Sequence, residues 1–464
     1  MADTINIADK LSEAREVNGK RQEILTRVKE VLIRRLNLEI TPEKIDDDSP
    51  LFGMGLGLDS IDSLELVVGV EEEFGVSVPS DNLEVFLSVN TLVDFILGST
   101  ERFSATVVSA SGESLSKRPW LKAYKALREG CLMYDAAPVI LEMPEQDGGL
   151  EFITWLVSGN DIILEPNRAM HAQLLDENGR IVDLINILMF DEKFWFIPSP
   201  GNEKSVSWIL SKAAEKSMAI SDVSASWRQV VCEGPYSWKL VKPLAGFEVT
   251  GLSYLHFMFA EWEGNQVLIY RAGKTNEYGL RMFVSAGTEG ELAAFLSGGA
   301  GDLTFLYEKD SAMLDECLST ASREVRFPSL NVTIMPGSSP VPNEIRWMVD
   351  TRKDDFIGRD AVLADFSGAK TRIMTVVADS GADLDEENFL GADVTVGSEK
   401  IGTIVISRYS PGLDRWFGYA EFAKDFGYAG NRCYSVRGKD GTVVPVVSAS
   451  TPLFLTKSAQ VQME

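Results

Sequence analysis

The chain has 464 residues, and 69 acidic against 44 basic side chains leave a formal charge of −25. That length exceeds one ordinary core and predicts about three domains, while the acidic balance argues against nucleic acid or an anionic membrane as a partner, since either needs a basic footprint. The start M-A-D-T-I-N-I-A-D-K lacks the basic and apolar parts of a signal peptide, and no run approaches about 18 apolar residues, so a soluble cytoplasmic protein is expected.

In chain order, residues 21–36 predict a first helix, with Ile24, Val28, Val31, Leu32 and Arg35 at helical spacing. A loop with Pro42 and Pro50 and a run with Gly53, Gly55 and Gly57 lead to Asp59 and Ser60, which are good N-cap residues. The helix they open runs to about residue 74. Ile61, Leu64, Val67, Val68 and Phe74 fall near one apolar stripe, and Asp62, Glu65, Glu72 and Glu73 fall largely outside it. A short helix over 90–97 completes the order expected of a four-helix bundle. Between Lys44 and Arg102 there is no basic residue, a pattern that steers basic patches on partner proteins. The Ser-, Thr- and Ala-rich residues 98–117 read as a flexible linker that lets the bundle swing.

From Pro119 the pattern changes to short apolar runs divided by Gly, Asn, Asp and Pro, with strands expected over 267–270, 281–284 and 373–377 and helices over 205–219 and 289–297. This is a mixed α+β region. Beyond about residue 371 the chain is nearly all strand and turn, with V-T-V-G-S-E-K-I-G-T-I-V-I-S as a hairpin, and a small closing β-barrel or jelly roll is expected. Cys131, Cys232, Cys317 and Cys433 show no C-x-x-C spacing, which argues for structural thiols rather than zinc or disulfides. His171 and His256 are too few for a His-rich metal site, and no nucleophile elbow supports a Ser–His–Asp triad.

The stretch D-S-I-D-S-L-E-L followed by V-E-E-E-F resembles the signature of acyl carrier proteins. The resemblance covers about residues 22–99 and implies that Ser60 carries 4′-phosphopantetheine, with a phosphopantetheinyl transferase and acyl-loading and acyl-accepting enzymes as partners. The alternative is that Ser60 merely caps its helix.

Four later pieces, in order, resemble the aminomethyltransferase of the glycine cleavage system and its tetrahydrofolate-using relatives: L-L-D-E-N-G-R-I-V-D-L-I, R-A-G-K-T-N-E-Y-G-L, K-D-D-F-I-G-R-D-A-V-L and I-G-T-I-V-I-S-R-Y-S-P. The resemblance implies a folate pocket. Asp183 matches the acidic element that contains the family's catalytic carboxylate, with Leu184 where a second carboxylate is usual. Arg271, Gly273, Thr275, Glu277 and Gly279 match the R-x-G-Y-T-G-E-x-G loop, whose tyrosine and second glycine are here Lys274 and Asn276. The family's pterin-holding acid is here Arg281, which offers only donors where a carboxylate would accept from the pterin. Asp183 as a hydrogen-bonded strand residue, and a structural Arg271–Glu277 ion pair, stand as rival readings.

The fold class expected is therefore a four-helix carrier bundle (1–99, with an N-terminal extension), a linker (100–118), an aminomethyltransferase-like α+β region (119–370) and a C-terminal β-barrel (371–464). The function implied is transfer of a one-carbon unit between tetrahydrofolate and an acyl or aminoacyl group tethered at Ser60, in specialised biosynthesis. A carrier and docking protein without folate chemistry, or a folate-independent enzyme acting on the tethered group, are the alternatives.

Overall fold

The computed structural model describes residues 7–51, 60–78, 83–98, 116–159, 165–379 and 384–463. The chain divides into two compact units, one of residues 1–108, 339–347 and 363–455, the other of 109–338, 348–362 and 456–464. The 53–59 glycine run and most of the 98–117 segment lie outside the described residues.

In the first unit, helix α1 (Ile7–Arg35) starts well before the helix expected from residue 21. Its buried positions Ala14, Asn18, Arg21, Leu25, Val28 and Leu32 follow helical spacing, so one face is covered from residue 14 to residue 32. The polar members Asn18 and Arg21 hid that continuity in the sequence. The C-terminal half of α1 shares a core with α2 (Ser60–Phe74) and α3 (Val89–Ile96) through Leu25, Val28, Val31, Leu32, Leu66, Val70, Val89, Leu92 and Val93. Helix α3 opens with a capping box in which Ser88 and Thr91 satisfy each other's backbone N–H. The remaining short helix of the expected bundle is a 3-10 turn at Leu83–Phe86.

The stripe expected on α2 is rotated. Leu66 and Val70 are fully buried, whereas Leu64 and Val68 are 67% and 45% exposed. Gly69 decides the rotation: a Cβ there would lie 2.9 Å from Val31 Cγ1 and from Arg35 Cγ, so only glycine lets α2 approach α1 on this face.

Six antiparallel strands close the barrel: Thr371–Ala378, Asp393–Val396, Glu399–Ser410, Arg415–Ala423, Tyr434–Arg437 and Val443–Ala449, in the order first, fourth, third, second, fifth, sixth, with the sixth returning to the first. The expected hairpin is its second and third strands, turning at Gly397. Met374, Val376, Trp416, Phe422, Tyr434 and Val446 fill the interior, and Ala14 of α1 joins the same core.

The second unit contains two sheets. Six strands form one: β1 (Cys131–Ala136), β7 (Trp227–Glu233), β8 (Phe257–Trp262), β9 (Asn265–Arg271), β10 (Gly279–Ser285) and β11 (Phe305–Tyr307), ordered β11-β1-β7-β10-β9-β8. The other has β2 (Leu141–Pro144), β3 (Arg168–Leu175), β4 (Ile181–Met189), β5 (Lys193–Ile197) and the short β6 (Ser221–Asp222), ordered β3-β4-β5-β2-β6. Ala169, Leu188 and Trp195 of one pack on Leu268, Tyr270 and Phe283 of the other, and Trp195 meets Phe283 at 5.5 Å between centroids. The helices expected over 205–219 and 289–297 are Glu203–Glu215 and Glu289–Gly298. Helices Leu121–Glu129, Gly149–Leu156, Ser237–Ala245, Ser311–Glu324 and Arg359–Gly368 were not anticipated. Cys131, Cys232 and Cys317 are buried and unpaired, and Cys433 is half-buried.

Candidate functional site

Ser60 is the first residue of α2, a 15-residue helix. The N–H groups and dipole of a helix N-terminus are in general suited to an esterified phosphate. The acidic exposed face is present, with Glu65 exposed beside Leu64.

In the second unit, the interface between the two sheets turns polar beyond its aromatic core. Strand alternation puts His171 of β3 opposite Asn186 of β4, and on the other sheet Arg281 of β10 pairs with Val231 and with Tyr270 of β9. The Tyr270 hydroxyl donates to Asn186 Oδ1 at 3.2 Å, and His171 Nδ1 lies 3.4 Å from the same oxygen, so the sheets are tied across their gap. Burial, together with the charge of Lys274, pushes the His171 imidazole down to about 4, so it is neutral at ordinary pH.

The loop joining β9 to β10 carries Lys274. Gly279 must be glycine, because a Cβ there would stand 2.8 Å from Gly273 Cα and 2.9 Å from the Ala272 carbonyl oxygen. Glu233, at the end of β7, organises this loop: its Oε1 accepts from Thr275 Oγ1 (2.6 Å) and from the Lys274 backbone N–H (3.1 Å). The Lys274 ammonium is pushed down to about 8 by burial and by Arg281, against the opposing pull of Glu233 and Asp183. Arg281 Nε donates to the Ala272 carbonyl at 3.2 Å. Burial acts against its charge, but Tyr134, Glu233, Tyr270 and Tyr254 outweigh that and hold its proton more firmly than usual.

Asp183 is fully buried beside a register shift in β4. Its Oδ1 accepts from the Leu184 N–H (2.8 Å) and its Oδ2 from the Ser199 N–H (3.0 Å), while its charge is felt by His171 and Lys274. Of the three loop-region residues expected at a folate pocket, Arg281 joins this cluster and the other two turn away. Glu277 is buried against Arg128 (3.1 Å) and accepts from Ser458 Oγ (2.5 Å). Arg271 donates to the Leu252 carbonyl and stacks on Tyr278 at 4.3 Å. The Arg271–Glu277 ion pair considered above is thus replaced by Arg128–Glu277, with Arg128 also bonded to Glu324 at 2.9 Å.

Arg128, Glu233, His171 and Tyr134 were missed as neighbours of the loop. They lie far from it in sequence and belong to no motif: strand register brings in Glu233, His171 and Tyr134, and Arg128 reaches the loop from the helix Leu121–Glu129. With Glu277 engaged by Arg128, and Arg281 where an acid would accept, the described cluster does not match a pterin edge in the family's manner.

Comparison with known proteins agrees with this architecture. A phosphopantetheine attachment site model matches residues 26–96, and a GCVT N-terminal domain model matches residues 101–300. An aminomethyltransferase of Mycobacterium bovis is 24% identical over 309 residues, covering 66% of this chain and 80% of that protein. One from Frankia alni is 25% identical over 349 residues, covering 72% and 90%. The solved glycine cleavage system aminomethyltransferase T of Bartonella henselae shares the fold, with a TM-score of 0.60 at 16% identity over 72% of this chain and 89% of its own. The chain accordingly carries a phosphopantetheine-attachment domain followed by an aminomethyltransferase domain of the GCVT type.

Proposed function

We propose that the chain moves a one-carbon unit, as methyl, methylene or aminomethyl, between tetrahydrofolate and an acyl or aminoacyl group held on 4′-phosphopantetheine at Ser60, as a cytoplasmic step of specialised biosynthesis. The observation that carries this reading is the union of a carrier and a GCVT-type domain in one chain. Tethering holds a substrate at an effective concentration of about mM, which relieves the transferase domain of most of the work of binding it. A phosphopantetheinyl transferase and enzymes that load and unload the arm are the partners this needs.

The chain's own groups have definable parts in this reading. Asp183 is the carboxylate that stabilises positive charge at the transferred carbon, positioned by two backbone N–H donors. Neutral His171, fixed between Asn186 and the Pro328 carbonyl, orients without adding charge. Arg271 and Glu277, which match the family loop, shape that loop, and Arg281, which stands where the family has an acid, faces the cluster. A second reading, a carrier whose GCVT-type domain no longer uses folate, is favoured by one observation: Lys274 and Arg281 supply donors where the family's loop residue accepts.

The test joins both halves. Co-expression with a broad phosphopantetheinyl transferase should add one prosthetic group, read by intact mass, and Ser60→Ala should abolish it. Titration of the full chain with tetrahydrofolate, followed by tryptophan fluorescence, should show binding. Addition that persists in Ser60→Ala sinks the carrier reading, and no folate binding favours the second one.

A further inference from the structure

The β9–β10 loop is held at successive residues, and the holders fall into two groups. Its first half is tied to side chains of the unit's body: Arg281 Nε donates to the Ala272 carbonyl (3.2 Å), the Tyr254 hydroxyl donates to the Gly273 carbonyl (3.1 Å), and Glu233 Oε1 accepts from the Lys274 N–H and from Thr275 Oγ1. Its second half is tied to the segment that follows the barrel, residues 456–463, which belongs to the second unit. Thr456 Oγ1 donates to the Asn276 carbonyl (2.6 Å), the Ser458 N–H and hydroxyl both donate to Glu277 Oε2 (3.1 and 2.5 Å), and Ser458 Oγ accepts from the Tyr278 N–H (2.8 Å). Glu277 is 6% exposed and gives its other oxygen to Arg128, so among the described residues Ser458 supplies the donors to Oε2. A buried carboxylate oxygen stripped of its donors is costly. The Ser458 hydroxyl donates to Glu277 and accepts from Tyr278 at once, a double part that serine or threonine can fill and alanine cannot. The segment itself buries little: Lys457, Ala459, Gln460 and Gln462 are exposed, and its regular structure is one 3-10 turn at Lys457–Ala459. Few buried contacts put a segment at the low-stability end of a fold.

We propose that residues 456–463 form a strap that seats on the β9–β10 loop and sets its conformation, with Ser458 a positioning residue that acts through Glu277. Seated, the strap fixes Asn276 and Glu277 relative to Gly273 and Lys274; lifted, it leaves the Asn276 carbonyl, Glu277 Oε2 and the Tyr278 N–H to water. Seating therefore regulates ligand binding in the second unit, a consequence that rests on reading this unit as the transferase domain and the loop as a border of its pocket.

The experiment is hydrogen exchange of the full-length protein, read by mass spectrometry on peptides covering 272–279. Ser458→Ala should speed exchange there about tenfold, the loss of roughly one net hydrogen bond. Deletion of residues 456–464 should speed it at least as much, while peptides covering 181–189 in β4 and 415–423 in the barrel keep the parent's rates. Ser458→Thr keeps the hydroxyl and should stay near the parent. Loop exchange equal in the parent and the deletion variant, acceleration spread equally over β4, or a Ser458→Thr loop as fast as that of Ser458→Ala overturns the proposal. Tetrahydrofolate, titrated by tryptophan fluorescence, should bind Ser458→Ala about tenfold more weakly than the parent and Ser458→Thr about as well. A loosened loop with unchanged affinity overturns the regulatory consequence. A parent chain that binds no tetrahydrofolate overturns the transferase reading, and loop exchange then still decides the strap.

Discussion

Asp183 shows how a single carboxylate answers to two demands. Both oxygens accept backbone N–H groups, so Asp183→Asn is not the neutral swap its size suggests. Its new amide must point at one of those donors. We predict a loss of about 1–3 kcal/mol of stability from the opposed donors. A fall in transfer of about two to four orders of magnitude is expected if the charge serves the reaction. Denaturant melts and a reconstituted assay read the two effects separately, and full activity in a folded variant would make the residue structural.

His171 carries a pH prediction of definite sign. Its pKa is about 4 folded against an ordinary 6.5, so between these values the unfolded chain binds the extra proton, and stability falls as pH drops through that window. The ceiling is about 3 kcal/mol. His171→Gln should lose correspondingly less stability than the parent chain on going from pH 7 to pH 4. Parallel losses would show that His171 is more exposed than the inter-sheet contacts imply.

At the scale of elements, the rotated face of α2 is directly checkable. Leu66→Ala should cost about 2–5 kcal/mol, as a fully buried leucine does, while Leu64→Ala should stay within about 0.5 kcal/mol; thermal melts that rank them the other way would restore the apolar stripe read from spacing. That stripe also marks where the sequence stopped being legible. The helix and its start at Ser60 were readable because capping and periodicity are local. Which of several apolar residues faced inward depended on Gly69 and on α1, a partner many residues away. The β9–β10 loop behaves similarly: its glycines and Thr275 are visible as a motif, but the arginine that meets Glu277 is not, since Arg128 lies on a distant helix. Buried helices such as Leu121–Glu129 escaped because short apolar runs read alike as strand or helix.

At the scale of the molecule, the joining of the carrier helices to the barrel within one unit contrasts with the swinging carrier expected from composition. Helix α1 reaches the barrel with Ala14, Asn18 and Arg21: Asn18 Nδ2 donates to Tyr434 Oη at 2.9 Å, Asn431 donates to the Ala14 carbonyl at 3.0 Å, and Arg21 donates to Ser450 Oγ at 3.0 Å. A buried ionic chain adds to this. Asp47 is held by Lys29 and Arg372 at 2.5 Å each, and Arg372 also meets Glu344 at 3.0 Å. Burial raises the proton affinity of Asp47, but Arg372 and Lys29 outweigh it and hold the carboxylate below its usual range. Glu344 is depressed as well, burial again being outweighed, first by Arg372. For depressed carboxylates, the stabilisation is present above the unfolded pKa of about 4 and is lost as pH falls below it. Arg372→Ala leaves two buried carboxylates short of their main partner, so it should cost about 3–5 kcal/mol. Because Asp47 belongs to the helical segment and Arg372 to the barrel, hydrogen exchange should accelerate together in α1 and in the strands 371–378 and 415–423. Acceleration confined to the strands, with α1 as protected as before, would show that the helices hold without the barrel and that the ionic chain does not couple them.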